Sequence, residues 1–577
     1  MKLNKKHLLV VVISISFFGL NSCKKDYLDP QPFGRYLPEQ LQTKKGLEGL
    51  LVGTYAMLDG QGIAGASGWM VGSTNWVYGD VVSDDSYKGT DANDQPQMTQ
   101  IELWSSQADN TYFYYKWLSL YDGVARANDV IKFAALVPEL VDADKQDYIA
   151  QARFLRGHFH FEAKRMWNKV PYITEKTTSY DNKADIWPMI EADFKFAYDN
   201  LTPTQPLVGK ANKWAAGAYL AKVFIYEKKF AEAKALYDVI LTQGITSDGK
   251  KYDLQPEYWK NFDIGFENSA ESVFSQQCEA GGTVNAAAET TYELAYPYGG
   301  VWGCCGFYQP SQNLVNAFKV DAKGLPFLDD SYNNTNLKND EGINSNASFT
   351  PDNATPLDPR LDWAVGRRGI PYYDYGAHPG RSWIRDQLYA GPYSPKKHVT
   401  KKSELGFFTN ISNFRQTAKN YNIIRFADVL LMAAEAEIEA GSLETARQYI
   451  NRVRARAANP GSWVTNAPFT APTPTPANYV VNQYITSFAD QVTARKAVRF
   501  EKRLELAFEG HRFFDLVRWG IADQVLNAYQ AVEKTRRSYK NGSGGFTKGK
   551  NEYYPIPNRV IEVARVSGNT LDQNPGY

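Results

Sequence analysis

Residues Arg499 to Gly520, RFEKRLELAFEGHRFFDLVRWG, constrain the fold more than any other stretch of this chain. Phe500, Leu504 and Phe508 fall four apart, a spacing that stacks side chains on one helical face. Glu501, Glu505 and Glu509 repeat that interval on a neighbouring face. Gly510 is placed to end or kink the helix. A second short helix is expected to carry Phe513, Phe514, Leu516 and Val517 and to close at Gly520. Arg512, Asp515 and Arg518 are spaced to pair along one of its sides. Charge sets of this kind are usually structural, so the stretch reads as a core helix pair tied by salt bridges. No nucleophile or base partner accompanies it that would make it a catalytic cleft.

The chain opens with a basic start at Lys2, Lys5, Lys6 and His7. A thirteen-residue apolar run, Leu8 to Leu20, follows and is too short to favour a membrane span. Leu20-Asn21-Ser22-Cys23 resembles a lipobox. Residues 1–22 therefore read as a lipoprotein signal peptide, and Cys23 as the lipidated (palmitate-bearing) first residue of the mature chain. A signal-peptidase I site with Cys23 incidental is the alternative. Residues 23–38 are polar, with three prolines, and read as an extended leader. No later apolar run is long enough to span, so the reading is anchored to a membrane rather than through it.

Residues 39–243 carry helical periods. Leu47, Leu50, Leu51, Tyr55 and Leu58 fit an amphipathic helix. A glycine-rich aromatic stretch follows, with Trp69, Trp76 and Tyr78, and then Asp80, Asp84 and Asp85. On its own that acidic run reads as a solvated turn; a calcium loop would want more widely spaced oxygen donors and a closing Glu. Tyr112 to Leu136 begins the helical body. Ala152, Leu155, Phe159, Ala163 and Met166 form a stripe on the next helix. His158 and His160 lie two apart there and face apart, so they cannot share a metal. No cluster with zinc spacing occurs, and neither metal nor cofactor is expected. Asn212 to Leu241 is a helix hairpin in which Ala218, Ala221 and Ala233 permit close packing. Ala434, Leu443, Ala446 and Ile450 repeat its pattern 213 residues later. With hairpins near 112–170 and 495–530 this makes four tetratricopeptide-like pairs, too widely separated for a simple solenoid.

Residues 244–420 lack helical period and are rich in Gly, Pro, Asn and Tyr. Ser272 to Gln276 is a candidate short strand. Tyr292 to Tyr308, YELAYPYGGVWGCCGFY, packs Tyr, Trp and Gly together, including Tyr296, Tyr298 and Trp302. A glycine-rich loop can hold such rings either in a buried cluster or with flat faces toward solvent, where sugar C–H surfaces stack. Tyr and Trp bury a ring while keeping a polar edge, and the chain has 37 Tyr and 13 Trp to use in this way. Cys304 and Cys305 are adjacent, Cys278 is the third mature cysteine besides Cys23, and the pairing stays open. A net charge of +1 implies no basic surface for nucleic acid.

Arg499 to Gly520 also resembles the C-terminal signature of the SusD/RagB family. Arg503, Glu505, Leu506, Phe508, Glu509, Gly510, Arg512, Phe514, Asp515, Leu516, Arg518, Trp519 and Gly520 fall on that pattern. So do Tyr27-Leu28-Asp29 after Cys23, Gly79-Asp80 with Ser83-Asp84-Asp85 and Lys88-Gly89, and Trp117 with Leu120-Tyr121 and Ala127-Asn128. Asp358-Pro359-Arg360-Leu361 and the ends Pro555-Ile556-Pro557 and Asn574-Pro575-Gly576-Tyr577 are similar too. The resemblance implies a mainly α fold: four tetratricopeptide-like helix pairs, a large loop-rich ligand-binding insertion at 244–420 carrying short strands, and a helical region at 421–577. It implies a lipoprotein on the cell-surface side of the outer membrane that captures oligosaccharides without catalysis and works with a SusC-like TonB-dependent transporter. It places the 79–89 segment near the ligand face. Trp76 and Trp302 lie in glycine-rich loops off any helix stripe, so they are the expected stacking residues. Tyr78, Asp84, Tyr296 and Tyr298 lie around them, and Tyr372, Tyr373 and Trp383 are the next candidates. A surface glycoside hydrolase is one rival reading, which needs two carboxylates about 5–10 Å apart across a sugar; Asp80, Asp84 and Asp85 are the only dense acidic group near aromatics. A helical-repeat assembly factor that binds protein is the other.

Overall fold

The computed structural model describes residues 38–467 and 474–577. The signal peptide, Cys23 and all of the leader but Pro38 lie outside the described residues.

Helix α1 (Lys44–Ala56) starts where the Thr43 hydroxyl accepts from Gly46 N and buries Leu47 and Leu51. A five-residue π-helical turn, Val77–Val81, and strand β1 (Ser86–Gly89) follow. Helix α2 (Thr111–Ala134) is capped by the Asn110 side chain and turns back into α3 (Asp142–Trp167). Helix α4 (Trp187–Asn200) is an addition to the expected pairs, though Ile190, Phe194 and Ala197 carried a helical stripe, and all three are buried. The hairpin read at 212–241 is α5 (Lys213–Tyr226), capped by Asn212, and α6 (Phe230–Gln243). From α2 to α6 each helix packs on the next. Small residues set the closeness: a Cβ on Gly123 of α2 would lie 2.6 Å from the Phe159 ring of α3, and one on Gly157 of α3 would lie 3.1 Å from Phe194 of α4.

The chain then leaves the helices. Strands β2 (Ser272–Gln276), β3 (Glu279–Gly281), β4 (Val284–Ala287), β5 (Phe307–Pro310), β6 (Thr409–Asn410), β7 (Asn413–Thr417) and β8 (Tyr421–Arg425) pair in twos. β2 pairs antiparallel with β8, Tyr421 opposite Gln276 and Arg425 opposite Ser272, and so clamps the base of this region. β5 pairs antiparallel with β1, Phe307 opposite Gly89, and stitches the region to the N-terminal loop. The helices resume at α7 (Phe426–Ala440), which packs directly on α6. Helix α8 (Leu443–Ala458), capped by Ser442, completes a second hairpin, with Ala434, Ala446 and Ile450 buried like Ala221, Ala233 and Tyr237 in the first. In place of the last expected pair, near 495–530, stand three helices, α9 (Gln491–Leu506), α10 (Arg512–Arg518) and α11 (Ala522–Arg536), and α12 (Asn558–Val566) follows. The C-terminal tail is pinned to the end of α3. Tyr554 N donates to Met166 O at 2.9 Å, Trp167 Nε1 to Pro555 O at 3.1 Å and Asn574 Nδ2 to Trp167 O at 2.7 Å.

Candidate functional site

The charged signature lies inside the protein. α9 stops at Leu506, so Phe508 and Glu509 do not continue the helical faces that their spacing implied. Phe508 (φ +65°) and Gly510 (φ +74°) turn the chain instead. Arg425 then binds Glu505, Glu271 at 2.9 Å and both oxygens of Glu509 at 2.8 Å. Arg360 donates to Asp358 at 2.9 and 2.7 Å, to Glu501 at 2.7 Å and to Glu505 at 2.9 Å. Arg454 joins Glu501, Arg456 joins Glu271 and Glu505, and Lys397 joins Glu509. All ten groups are buried, and the charges balance. Burial alone would raise the Glu505 and Glu509 carboxyls. The surrounding cations reverse that and hold Glu509 at about 2. A charge set so deeply buried, with each charge facing an opposite one, serves the fold and has no face to offer a ligand.

The acidic segment is also internal, which corrects both the solvated-turn reading and its placement at the ligand face. Arg512 does not pair with Asp515. It reaches across to Asp84 at 2.8 and 3.0 Å, while Arg518 takes Asp515 at 2.8 Å. Arg503 binds Asp84 at 3.0 Å and Asp85 at 2.7 Å. Asp80 accepts from Gly510 N at 2.9 Å, from Arg512 N at 3.3 Å and from the Tyr308 hydroxyl. Sequence spacing favoured the neighbour three residues away, but the fold presented a carboxylate more than 400 residues distant. Buried carboxylates held by arginines leave no gap for a sugar and a water, so this segment does not support hydrolysis.

The aromatic candidates divide in two. Trp76 is 0% exposed; its indole N–H donates to Thr291 O at 2.7 Å and its ring leans on Tyr308, centroids 5.0 Å apart. The Tyr78 hydroxyl is held by Met70 O at 2.8 Å and Tyr112 O at 3.1 Å. Trp76, Tyr78 and Asp84 are therefore core, and the expectation that they contact ligand is corrected: the π-helical turn Val77–Val81, which the sequence did not announce, directs Trp76 and Tyr78 inward, and Arg503 and Arg512 draw Asp84 in. Trp302 is buried as well, at 5% exposure, but it is the floor of a cluster. Tyr375 lies 4.9 Å from it, Trp383 5.1 Å, Tyr296 6.1 Å and Tyr372 6.1 Å, ring centroid to centroid. Tyr296, Tyr372 and Tyr373 are buried and back the cluster without reaching its surface. Trp383, Tyr375 and Tyr298 are half-buried and form its rim. Tyr298 N donates to Trp383 O at 3.0 Å, and the Arg385 guanidinium sits 5.6 Å over the Tyr298 ring. Gly300 (φ +57°) lays backbone against the Trp383 indole, where a Cβ would come within 3.3 Å.

The structure thus brings together Tyr296, Tyr298 and Trp302 of the six expected residues and adds Trp383 and Tyr375. Tyr375 is not among the expected residues, although it lies in an aromatic-glycine stretch, Tyr372-Tyr373-Asp374-Tyr375-Gly376, of the same character as 292–308. Cys304 and Cys305 are bonded to each other at the edge of this loop, and Cys278 is free. Arg415 Nη1 contacts Cys305 Sγ at 2.9 Å. Among the described residues no group of three or more His, Cys, Asp or Glu could hold a metal ion.

Residues 270–577, more than half of the chain, match a sequence model described as the SusD family. The chain belongs to the SusD family. A second model, described as starch-binding associating with outer membrane, matches residues 26–225. SusD-like protein P2 of Formosa agariphila is 24% identical over 597 residues, spanning 100% of both chains. A SusD-like protein of Bacteroides ovatus is 23% identical, spanning 97% of this chain and 93% of its own. A SusD superfamily protein from Bacteroides vulgatus superposes with a TM-score of 0.67 at 20% identity, covering 92% of this chain and 99% of that one. Surface glycan-binding protein A from Bacteroides thetaiotaomicron, in complex with laminarihexaose, superposes with a TM-score of 0.64 at 18% identity, covering 92% and 99%. Identities this low speak to fold, and the SusD-family fold is mainly α here as the helical periods implied.

Proposed function

We propose that this SusD-family chain is a non-catalytic, glycan-binding lipoprotein of the outer membrane, facing the cell surface through an anchor at Cys23. Its sugar-binding face is the rim formed by Trp383, Tyr375 and Tyr298 over the buried Trp302. The observation that carries the reading is this group of half-exposed rings, drawn from two loops of the 244–420 region and backed by further aromatics. Hydrogen bonds to sugar hydroxyls replace bonds to water and add little net affinity. Flat apolar contact is then the main attraction, and a ring held by packed neighbours loses little entropy on binding. A laminarin-binding SusD-like protein of the same fold, TM-score 0.59 at 21% identity, makes a β-glucan a reasonable first ligand to try. The bound oligosaccharide is passed to a SusC-like TonB-dependent transporter, which should co-purify from detergent extracts.

Titration calorimetry with laminarihexaose and a panel of other oligosaccharides tests the site. Trp383→Ala and Tyr375→Ala should each remain folded and bind the matching glycan about 10- to 30-fold more weakly, the usual cost of truncating a central aromatic anchor. Wild-type affinity in both variants would place the site elsewhere.

A further inference from the structure

A cavity of about 190 Å³ opens between the end of α3, the start of α4, the end of α5 and the signature helix α10, with Tyr553 of the tail at its side. Four of its lining side chains are basic (Lys164, Arg165, Lys228 and Arg518) and none is acidic. Its remaining walls are largely aromatic, with Trp187 and Tyr226 5.2 Å apart and the Arg165 guanidinium 4.0 Å over the Phe514 ring.

The carboxylates that pair with these bases come from outside the lining. Glu162 takes Nε and Nη2 of Arg165 at 3.0 and 2.6 Å. Asp185 takes Lys164 at 2.9 Å, and Glu435 with Asp515 takes Arg518. Four donors on the lining residues are left over. Arg165 Nη1, Lys228 Nζ and the hydroxyls of Tyr226 and Tyr553 have no hydrogen-bond partner among the described residues. The four bases and their four carboxylate partners balance in charge; the spare donors, in a lining that holds no carboxylate acceptor, are what suit this cavity to an oxyanion, because charge-assisted bonds from such donors offset the cost of taking the anion out of water. A neutral sugar fits it poorly, since its hydroxyl protons find few acceptors there. The volume takes a group of monosaccharide size, below the range of about 300–1,000 Å³ typical of larger ligands.

We propose that this cavity binds one oxyanion-bearing sugar residue, with its ring between the aromatic walls and its carboxylate or sulfate ester on Arg165 Nη1, Lys228 Nζ and the two phenols. The sugar part of the inference rests on the glycan-binding reading above; the anion part rests on the cavity alone.

The test titrates glucuronate, glucose 6-sulfate, glucose and inorganic sulfate against wild type and the double variant Tyr226→Phe/Tyr553→Phe, by saturation-transfer NMR. The double variant keeps both rings, and a melting curve checks that it is folded; Lys228→Ala, on an exposed residue, is a second probe that leaves the core intact. At least one charged sugar should bind ten-fold or more tightly than glucose, and which of the two does so identifies the anion. The double variant should lose about ten-fold and Lys228→Ala several-fold of that affinity. The proposal is overturned if glucose binds as well as both charged sugars, if inorganic sulfate matches them, or if the folded double variant binds like wild type. Laminarihexaose is titrated in parallel. Its failure to bind wild type counts against the surface site alone, because the charged-sugar series decides the cavity independently.

Discussion

Asp80 and Asp84 lie four residues apart in one buried segment, yet their carboxyls are driven in opposite directions. Burial pushes Asp80 up to about 7, and the nearby Asp85 charge adds to it; its three donors, Tyr308, Gly510 N and Arg512 N, are neutral and only partly offset this. Burial acts on Asp84 too, but the Arg503 and Arg512 guanidiniums overrule it and hold that carboxyl below its usual range. The consequences for stability differ in sign. Asp80 favours the fold while protonated, so its contribution is complete below its unfolded value of about 4 and is lost as pH rises through about 7. Asp84 favours the fold while ionised, so its contribution is present above about 4 and fades as pH falls below that. Glu289 is pushed up to about 7 like Asp80, again by burial. Each raised carboxyl therefore contributes a falling slope of up to about 1.4 kcal/mol per pH unit from about pH 5 to pH 7, opposed by His158, His160, His378, His398 and His511, which burial keeps neutral in the fold. Asp80→Asn should remove its share of that falling slope in a pH series of thermal melts; an unchanged slope would show that Asp80 does not titrate there. Arg512→Ala removes one of the two arginines that hold the buried Asp84 carboxylate and should cost about 2–4 kcal/mol in urea unfolding. Glycan affinity of the folded fraction should stay the same, whereas lost binding at an unaltered midpoint would make this arginine functional.

At the scale of elements, the decisive contact is the crossing of the Val77–Val81 turn with the chain after α9. A Cβ on Gly79 would lie 2.0 Å from Gly510 O, and one on Gly510 would lie 2.1 Å from Thr74 O, at a φ of +74° that also disfavours a side chain. This close approach is what ends α9 early and sends Glu509 to Arg425. It also sets Asp80 on the Gly510 amide, so the two glycines and the charge network form one joint. Gly79→Ala or Gly510→Ala should each cost about 3 kcal/mol or more through overpacking and backbone strain. Gly542→Ala and Gly544→Ala, where a Cβ meets nothing within 4 Å, should change stability by no more than about 0.5 kcal/mol. Differential scanning fluorimetry of the four variants checks the contrast; similar costs at all four sites would count against it.

At the scale of the whole molecule, α6 and α7 pack together across 182 intervening residues, 244–425, so the helical scaffold is continuous in space though interrupted in sequence. The β2–β8 pairing fastens the interruption at its base, and the β1–β5 pairing ties it to the N-terminal loop. One hydrophobic cluster runs from Leu47 to Leu571 through all of these parts. The aromatic rim is thereby backed by the same packed core, which would hold its rings in place for the glycan we propose. Among the described residues no helix is long and apolar enough to cross a membrane. The attachment we propose rests on Cys23, so Cys23→Ala should abolish palmitate labelling while leaving the melting temperature of the folded body unchanged. Equal labelling of variant and wild type would end the lipoprotein reading.

The helix hairpins were legible in the sequence because helical periodicity is local: Ala218, Ala221 and Ala233, and later Ala434 and Ala446, announce a close-packed pair within thirty residues. The signature likewise announced a buried, charge-paired role, since carboxylates and arginines interleaved with phenylalanines have few other uses. What only the tertiary structure decided was which partner each charge takes and which rings face water. Arg512 had Asp515 within reach along its own helix and went to Asp84. Trp76 and Trp302 read alike, each beside glycines and off every stripe, yet Thr291 and Tyr308 enclose the first while Trp383 and Tyr375 make the second the floor of a surface cluster. Neither stretch has the regular spacing that would fix from sequence where its ring points, and contacts from residues scores to hundreds of positions away made that choice.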